Sequence, residues 1–184
     1  DLNYLANCQL GLLSILGDNS ENVWLKTEPL LKNAVLKRYP PAMMLYLSIA
    51  INPDFKTSIT PDEIIFVSKK YDIQYAPLAY IIGYYYLGMS NTKDALAQFQ
   101  TAARHNYAPA LNALGSIFQN GIGVPKDMKK SYEFYKKSAD LGYGIAEANL
   151  FSFYVNGGPI PKDEAKAFLT TKKLAEINNP IAIH

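Results

Sequence analysis

The chain is poor in the residues that most chemistry needs. Of its 184 residues one is cysteine, Cys8, and two are histidine, His105 and His184. A lone thiol excludes an intrachain disulfide and a thiolate metal cage, and it leaves the redox compartment open. One histidine falls at a predicted helix end and the other is the last residue, so no pair has the spacing of metal ligands or of a catalytic triad. Charge of one sign is scarce as well. A formal net charge of +2, with lysines spread rather than massed, gives no bulk electrostatic argument for a nucleic-acid or membrane partner. A long uncharged stretch, from about Tyr75 to the charge at Lys93, is broken by Pro77 and rich in tyrosine, a poor match to the ~20 apolar residues of a membrane span. No targeting peptide is visible. Leu5-Ala6-Asn7-Cys8 resembles a lipidation box, but no apolar signal segment precedes it, and a helix-buried thiol is the preferred reading.

What the sequence does have is apolar content and a period. With 49% hydrophobic and 18% charged residues it is an ordered chain able to bury a sizeable core. Four stretches align: RYPPA from Arg38, QYAPL from Gln74, NYAPA from Asn106 and GYGIA from Gly142. Their tyrosines, Tyr39, Tyr75, Tyr107 and Tyr143, are 36, 32 and 36 residues apart. At an offset of 36, Phe118 falls on Tyr154, Asn120-Gly121 on Asn156-Gly157, Pro125-Lys126-Asp127 on Pro161-Lys162-Asp163, and Tyr132 on Phe168. So many coincidences at one offset announce a repeat architecture.

Inside each unit the apolar residues recur at helical spacing, first as in Ala110, Leu111, Leu114 and Phe118, then as in Tyr132, Tyr135 and Ala139. Between them lies NGIGVPKD (Asn120 to Asp127), whose glycines permit positive φ and whose Pro125 cannot continue the preceding helix. Each unit is therefore a helical hairpin, and no strand pattern competes. Thr60-Pro61-Asp62-Glu63 reads as a capping box with proline at the first helical position. Thr92, Asp127 and Asp163 read as caps at equivalent joints. These signals predict first helices near 2–16, 40–51, 76–88, 108–120 and 144–156, and second helices near 20–37, 61–71, 92–105, 127–140 and 163–177.

The run Ala110-x-x-x-Leu114-Gly115-x-x-Phe118-x-x-Gly121-x-Gly123-Val124-x-x-Asp127-x-x-Lys130-Ser131-x-x-Phe134-Tyr135-x-Lys137-Ser138-Ala139-x-x-Gly142 resembles the Sel-one-like repeat (SLR), a relative of the tetratricopeptide repeat. The likeness continues through 144–177, where Pro159 replaces the second loop glycine, and through 76–107, whose loop is four residues shorter. Residues 1–75 fit in outline: Leu47 stands where the packing glycine belongs, and Lys70-Tyr71 replace the paired alanines Ala102-Ala103. The resemblance implies an all-α, α/α superhelical solenoid of about five repeats in one domain over 1–184, with repeats near 2–38, 39–74, 75–106, 107–142 and 143–178. Residues 179–184 would start a further helix or form a cap. Some SLR proteins clamp adjacent helices with paired cysteines; here packing alone would have to serve.

Catalytic constellations are nearly absent. NGIGV follows a helix rather than a strand and lacks a Gly-Lys-Ser/Thr ending, so it is a turn and not a phosphate loop. Asp62-Glu63 and Asp163-Glu164 begin helices and serve as caps. The lysines of KDMKKSYEFYKK (Lys126 to Lys137) fall opposite its apolar stripe, which makes them a solvated face. Neither a cofactor nor a metal site is expected, and an enzyme is not the reading.

In tetratricopeptide-like superhelices the inner, concave wall is lined by first helices and holds the ligand. Positions two before, two after and five after the Leu114-Gly115 pair point away from the partner helix. They give Asn112, Ser116 and Gln119 in one unit, Tyr80 and Tyr84 in the unit before, Met44 and Ser48 earlier, and Ser152 later. In the run Tyr84-Tyr85-Tyr86, Tyr86 is the expected core aromatic, Tyr85 packs between units, and Tyr84 faces the groove. The expected function is a non-enzymatic scaffold or adaptor that binds a protein or peptide segment in that groove. A cell-wall regulator binding peptidoglycan or another glycan on Tyr80 and Tyr84 is the alternative. The resemblance favours a bacterial protein of the periplasm or the secreted fraction.

Overall fold

The recurring tyrosines sit at the joints between repeats, where one helix stops and the next begins. In a computed structural model that describes residues 21–51, 57–70, 72 and 74–178, Tyr39, Tyr75, Tyr107 and Tyr143 each have extended backbone and each precede a helix. At three of these joints the residue before the tyrosine is left-handed: Arg38 (φ 60°), Asn106 (φ 54°) and Gly142 (φ 83°). The tyrosine N–H then reaches back to the preceding helix, as Tyr39 to the Ala34 carbonyl, Tyr107 to Ala102 and Tyr143 to Ser138. That is the Schellman closure of a helix C-terminus, and it fixes the angle at which the next helix leaves.

The chain divides into two compact units, Asp1–Met89 and Ser90–His184. The division falls between the two helices of the third expected repeat. The predicted helix at 2–16 and the tail 179–184 lie outside the described residues.

The first unit contains α1 (Glu21–Leu36), α2 (Pro40–Ala50), α3 (Pro61–Lys70) and α4 (Ala76–Gly88). Helix α2 is apolar around nearly its whole circumference, because α1, α3 and α4 all pack on it. Met43, Tyr46 and Leu47 are fully buried there, against Leu31 and Ala34 of α1, Ile64 of α3 and Leu78 of α4. A buried phenol needs partners, and the Tyr46 hydroxyl has several. It donates to Glu28 Oε1 at 2.6 Å and accepts from the Ser58 and Ile59 N–H groups at 3.0 and 3.1 Å. The expected capping box opens α3 in full. Thr60 N–H donates to Glu63 Oε2 at 2.7 Å, and Glu63 N–H returns to Thr60 Oγ1 at 3.3 Å.

The second unit contains α5 (Thr92–Arg104), α6 (Ala108–Asn120), α7 (Met128–Asp140), α8 (Gly144–Asn156) and α9 (Glu164–Asn178). Three of its helices open on a side-chain cap. Asp127 accepts from Lys130 N–H and Asp163 from Lys166 N–H, both at 2.9 Å, and Asn91 accepts from Asp94 N–H at 3.3 Å. The cap of α5 is thus Asn91 rather than Thr92. Asparagine carries an acceptor that reaches the third N–H, and Thr92 is already the first helical residue. The two longer loops close alike, with Gly121 and Gly157 at positive φ and the N–H groups of Asp127 and Asp163 donating to the carbonyls of Phe118 and Tyr154. His105 is the C-cap of α5, as its place at a helix end implied.

Candidate functional site

In the first unit the three consecutive tyrosines of α4 part ways. Tyr85 donates to Asp62 Oδ1 at 3.3 Å, and the Tyr86 hydroxyl accepts from Lys69 Nζ at 2.8 Å. Asp62 lies in the first turn of α3 and Lys69 in the last, so the two phenols tie both ends of that helix to α4. Tyr86 is half-buried rather than the enclosed core aromatic expected from sequence, because its hydroxyl end lies with an exposed ammonium. Tyr84 is 44% exposed and sits edge-on to Tyr80, with ring centroids 4.9 Å apart and planes at 79°. One turn of helix brings this pair together. Met44 is half-buried and packs against the core, and Ser48 donates to the Met44 carbonyl at 2.8 Å, so both are partly spent on structure.

In the second unit the predicted residues form a hydrogen-bonded set. Gln119 Oε1 accepts from the Tyr135 hydroxyl at 2.8 Å, and Asn112 Oδ1 accepts from Asn149 Nδ2 at 2.8 Å. Ser152 donates to the Asn149 carbonyl at 2.9 Å, and Asn120 Nδ2 donates to the Ser116 carbonyl at 3.0 Å. Asn149 therefore links Asn112 on α6 to Ser152 on α8, and Tyr135 of α7 reaches Gln119. Neither supporting residue was singled out in the sequence. The available signal was Asn149 itself, a polar residue at the register that Ala113 holds in α6, where it is buried.

Among the described residues, the shifted pKa values belong to helix caps, exposed ion pairs and buried or hydrogen-bonded side chains. Burial raises Glu28, but hydrogen bonds from Tyr46 and Ser58 outweigh it and hold the carboxyl below its ordinary value. Backbone N–H groups lower Asp127 and Asp163 at their caps. Burial raises Tyr46, Tyr85 and Tyr135, and pushes Tyr154 up to about 12. Each of these shifts moves its group away from neutrality, the reverse of what general acid–base work needs. Among the described residues no cluster of His, Cys, Asp and Glu could hold a metal ion, and no helix is long and apolar enough to cross a membrane. A cleft of about 710 Å³ opens elsewhere in the first unit, between Lys32, Val35 and Leu36 of α1 and Ile59, Phe66 and Val67 at α3, and none of the predicted site residues lines it.

The comparisons with known proteins agree with the all-α repeat fold. The sequence model of the Sel1 repeat family matches residues 108–143 and 144–169. The fold is similar to that of a Sel1 repeat protein from Oxalobacter formigenes, with a TM-score of 0.76 and 23% identity over 96% of this chain and 74% of that one. It is also similar to c5321, a protective antigen of uropathogenic Escherichia coli strains displaying an SLR fold. There the TM-score is 0.74 and the identity 20%, over 94% of this chain and 38% of that one. No curated protein sequence matches the chain.

Proposed function

Because the chain is a Sel1-like repeat protein with an all-α repeat fold, we propose that it is a scaffold that holds a segment of another protein on the exposed faces of its first helices. Sel1 repeat proteins generally mediate protein–protein interaction. The observation that carries the reading is the exposure of Tyr84, which keeps 44% of its surface open to solvent with an edge of its ring against Tyr80. A large aromatic held in place and left open to solvent is what binding hot spots are made of. In the same unit as Tyr84, Met44 and Ser48 lie on α2, and in the second unit, taken by itself, Asn112, Ser116, Gln119 and Ser152 offer neutral polar contacts on α6 and α8. Both solved neighbours are bacterial proteins, which favours a bacterial origin.

A photo-crosslinking amino acid placed at Tyr84, and separately at exposed Lys129 on α7, tests the reading in cells. A discrete protein adduct from position 84 that is missing from position 129 supports it; equal labelling from the two positions defeats it. The glycan reading survives on the same exposed ring, which could stack on a sugar. Retention on purified peptidoglycan that disappears in Tyr84→Ala, with no protein adduct from position 84, would establish that reading instead.

A further inference from the structure

The hydrogen bonds that support the second unit's candidate face also decide which way its amides point. The Tyr135 ring is 2% exposed and lies over Gly115, so its hydroxyl emerges beside Gln119. Burial keeps that phenol protonated, and its proton is given to Gln119 Oε1. The carbonyl side of the amide is thereby occupied, and Nε2 is turned outward. Asn149 Nδ2 occupies Asn112 Oδ1 in the same way and leaves Asn112 Nδ2 as the outward group. Both outward groups are donors. They lie seven residues apart on one helix, hence about 10.5 Å at 1.5 Å per residue and on the same side after two turns.

Charge is missing from this face. Helix α6 contains no Asp, Glu, Lys or Arg, and α8 contains only Glu147, which Lys173 meets at 2.9 Å. A ligand recognised here presents neutral acceptors rather than carboxylates. In an extended chain with three residues per turn, carbonyls three residues apart point the same way at about 9.3 Å, close to the ~10.5 Å rise between Asn112 and Gln119 along α6. We infer that the α6 face recognises backbone carbonyl groups of an extended, uncharged peptide segment through Asn112 Nδ2 and Gln119 Nε2, with Asn149 and Tyr135 as positioning residues. This rests on the scaffold reading and names the chemistry of its ligand.

The test uses near-isosteric exchanges. Asn112→Asp and Gln119→Glu keep the oxygens to which Asn149 and Tyr135 donate, and replace each outward N–H group by an acceptor oxygen that brings a negative charge, repelling a carbonyl. A displayed library of short random peptides is selected on the full chain, and the selected peptides are synthesised and titrated. Binding should fall about tenfold or more in each variant, with the melting temperature unchanged. Rising salt should leave wild-type affinity unaltered, since no ion pair forms. Tyr135→Phe should weaken binding, yet add nothing in a Gln119→Glu background. Peptides that lose affinity in Tyr84→Ala but bind both amide variants at full strength overturn this inference and leave the scaffold reading standing. Peptides indifferent to all three substitutions, or a library that yields no binder, overturn both.

Discussion

Gly115 is the residue on which the Tyr135 ring rests: a Cβ added there would lie 2.6 Å from Tyr135 Cδ1 and 2.7 Å from Cε1. No rotation of an enclosed ring relieves such an overlap, so the helices would have to part. The same contact delivers the Tyr135 hydroxyl to Gln119, which makes one glycine responsible both for packing α6 on α7 and for orienting a candidate binding residue.

Gly115→Leu should therefore cost about 1–3 kcal/mol, against about 0.5 or less for Lys129→Ala on the exposed side of α7. The first unit carries the two sizes in reverse at the matching registers. Leu47 occupies the glycine register and is fully buried, and Ser68, buried and eight residues after the cap Thr60, stands where Tyr135 stands eight residues after Asp127. By register, large and small have changed places. Gly115→Leu combined with Tyr135→Ser should recover part of the loss, with a coupling of about 1 kcal/mol or more in a double-mutant cycle. Additive losses in thermal melts would show that the two positions do not share a contact.

Ser131 invites the opposite kind of change. It is fully buried in α7, and its Oγ makes no hydrogen bond among the described residues although it faces the Tyr135 phenol closely enough to influence it. The matching positions after the caps Asn91 and Asp163 are Ala95 and Ala167, both buried. A hydroxyl that loses water without gaining a partner is a cost. Ser131→Ala should leave stability unchanged or raise it by up to about 1 kcal/mol. A fall of that size in chemical denaturation would mean that the hydroxyl has a partner.

Much of this architecture was legible in the sequence because the joints are chemically explicit. Gly142 and Asn106 tolerate the left-handed turn, Pro40, Pro77 and Pro109 suit a first helical turn, and Asp127 and Asp163 name the starts of α7 and α9. The helices consequently lie within a residue or two of their expected ends. What stayed hidden depends on side chains meeting across helices. Nothing local marks Leu47 and Ser68 as exchanged in size, since each is ordinary in its own helix and only their register in the repeat relates them. Tyr135 likewise reads as a packing residue until its hydroxyl is seen on Gln119, and nothing local marks Asn149 as the partner of Asn112. Among the candidate residues, the exposure of Tyr84 followed from helical periodicity, but the bond from Tyr135 of the partner helix to Gln119 and the engagement of Tyr85 and Tyr86 with opposite ends of α3 did not.

Acid should loosen the first unit through Glu28. Burial alone would raise its pKa, but the Tyr46 and Ser58 hydrogen bonds outweigh burial and leave the folded-state value below the ordinary 4.5. A depressed carboxyl stabilises the fold above the unfolded-state pKa, and that contribution is lost as pH falls from about 4.5 through the lower folded value. Glu28→Gln should lower the melting temperature at pH 7 and flatten its decline in acid. Parallel acid profiles for the two proteins would remove Glu28 from the account.

The three consecutive tyrosines of α4 supply a final test, because one helix turn gives them different work. Tyr84→Ala removes a ring that is 44% exposed and touches Tyr80 edge-on, so stability should change by no more than about 1 kcal/mol. Tyr86→Ala should cost more, about 1–3 kcal/mol, since that half-buried ring packs against the core of the first unit and its hydroxyl meets Lys69. Tyr86→Phe should recover most of this, because the lost hydrogen bond joins an exposed pair worth little. Tyr85→Phe should behave similarly, losing only its 3.3 Å contact with Asp62. In binding the order reverses: Tyr84→Ala should weaken a selected peptide by about tenfold or more, and Tyr86→Phe should bind as wild type. Melting curves and titrations on the same four variants decide the matter. If Tyr84→Ala unfolds as readily as Tyr86→Ala, the register of α4 is misassigned; if it is stable and binds at full strength, the exposed ring is not a contact.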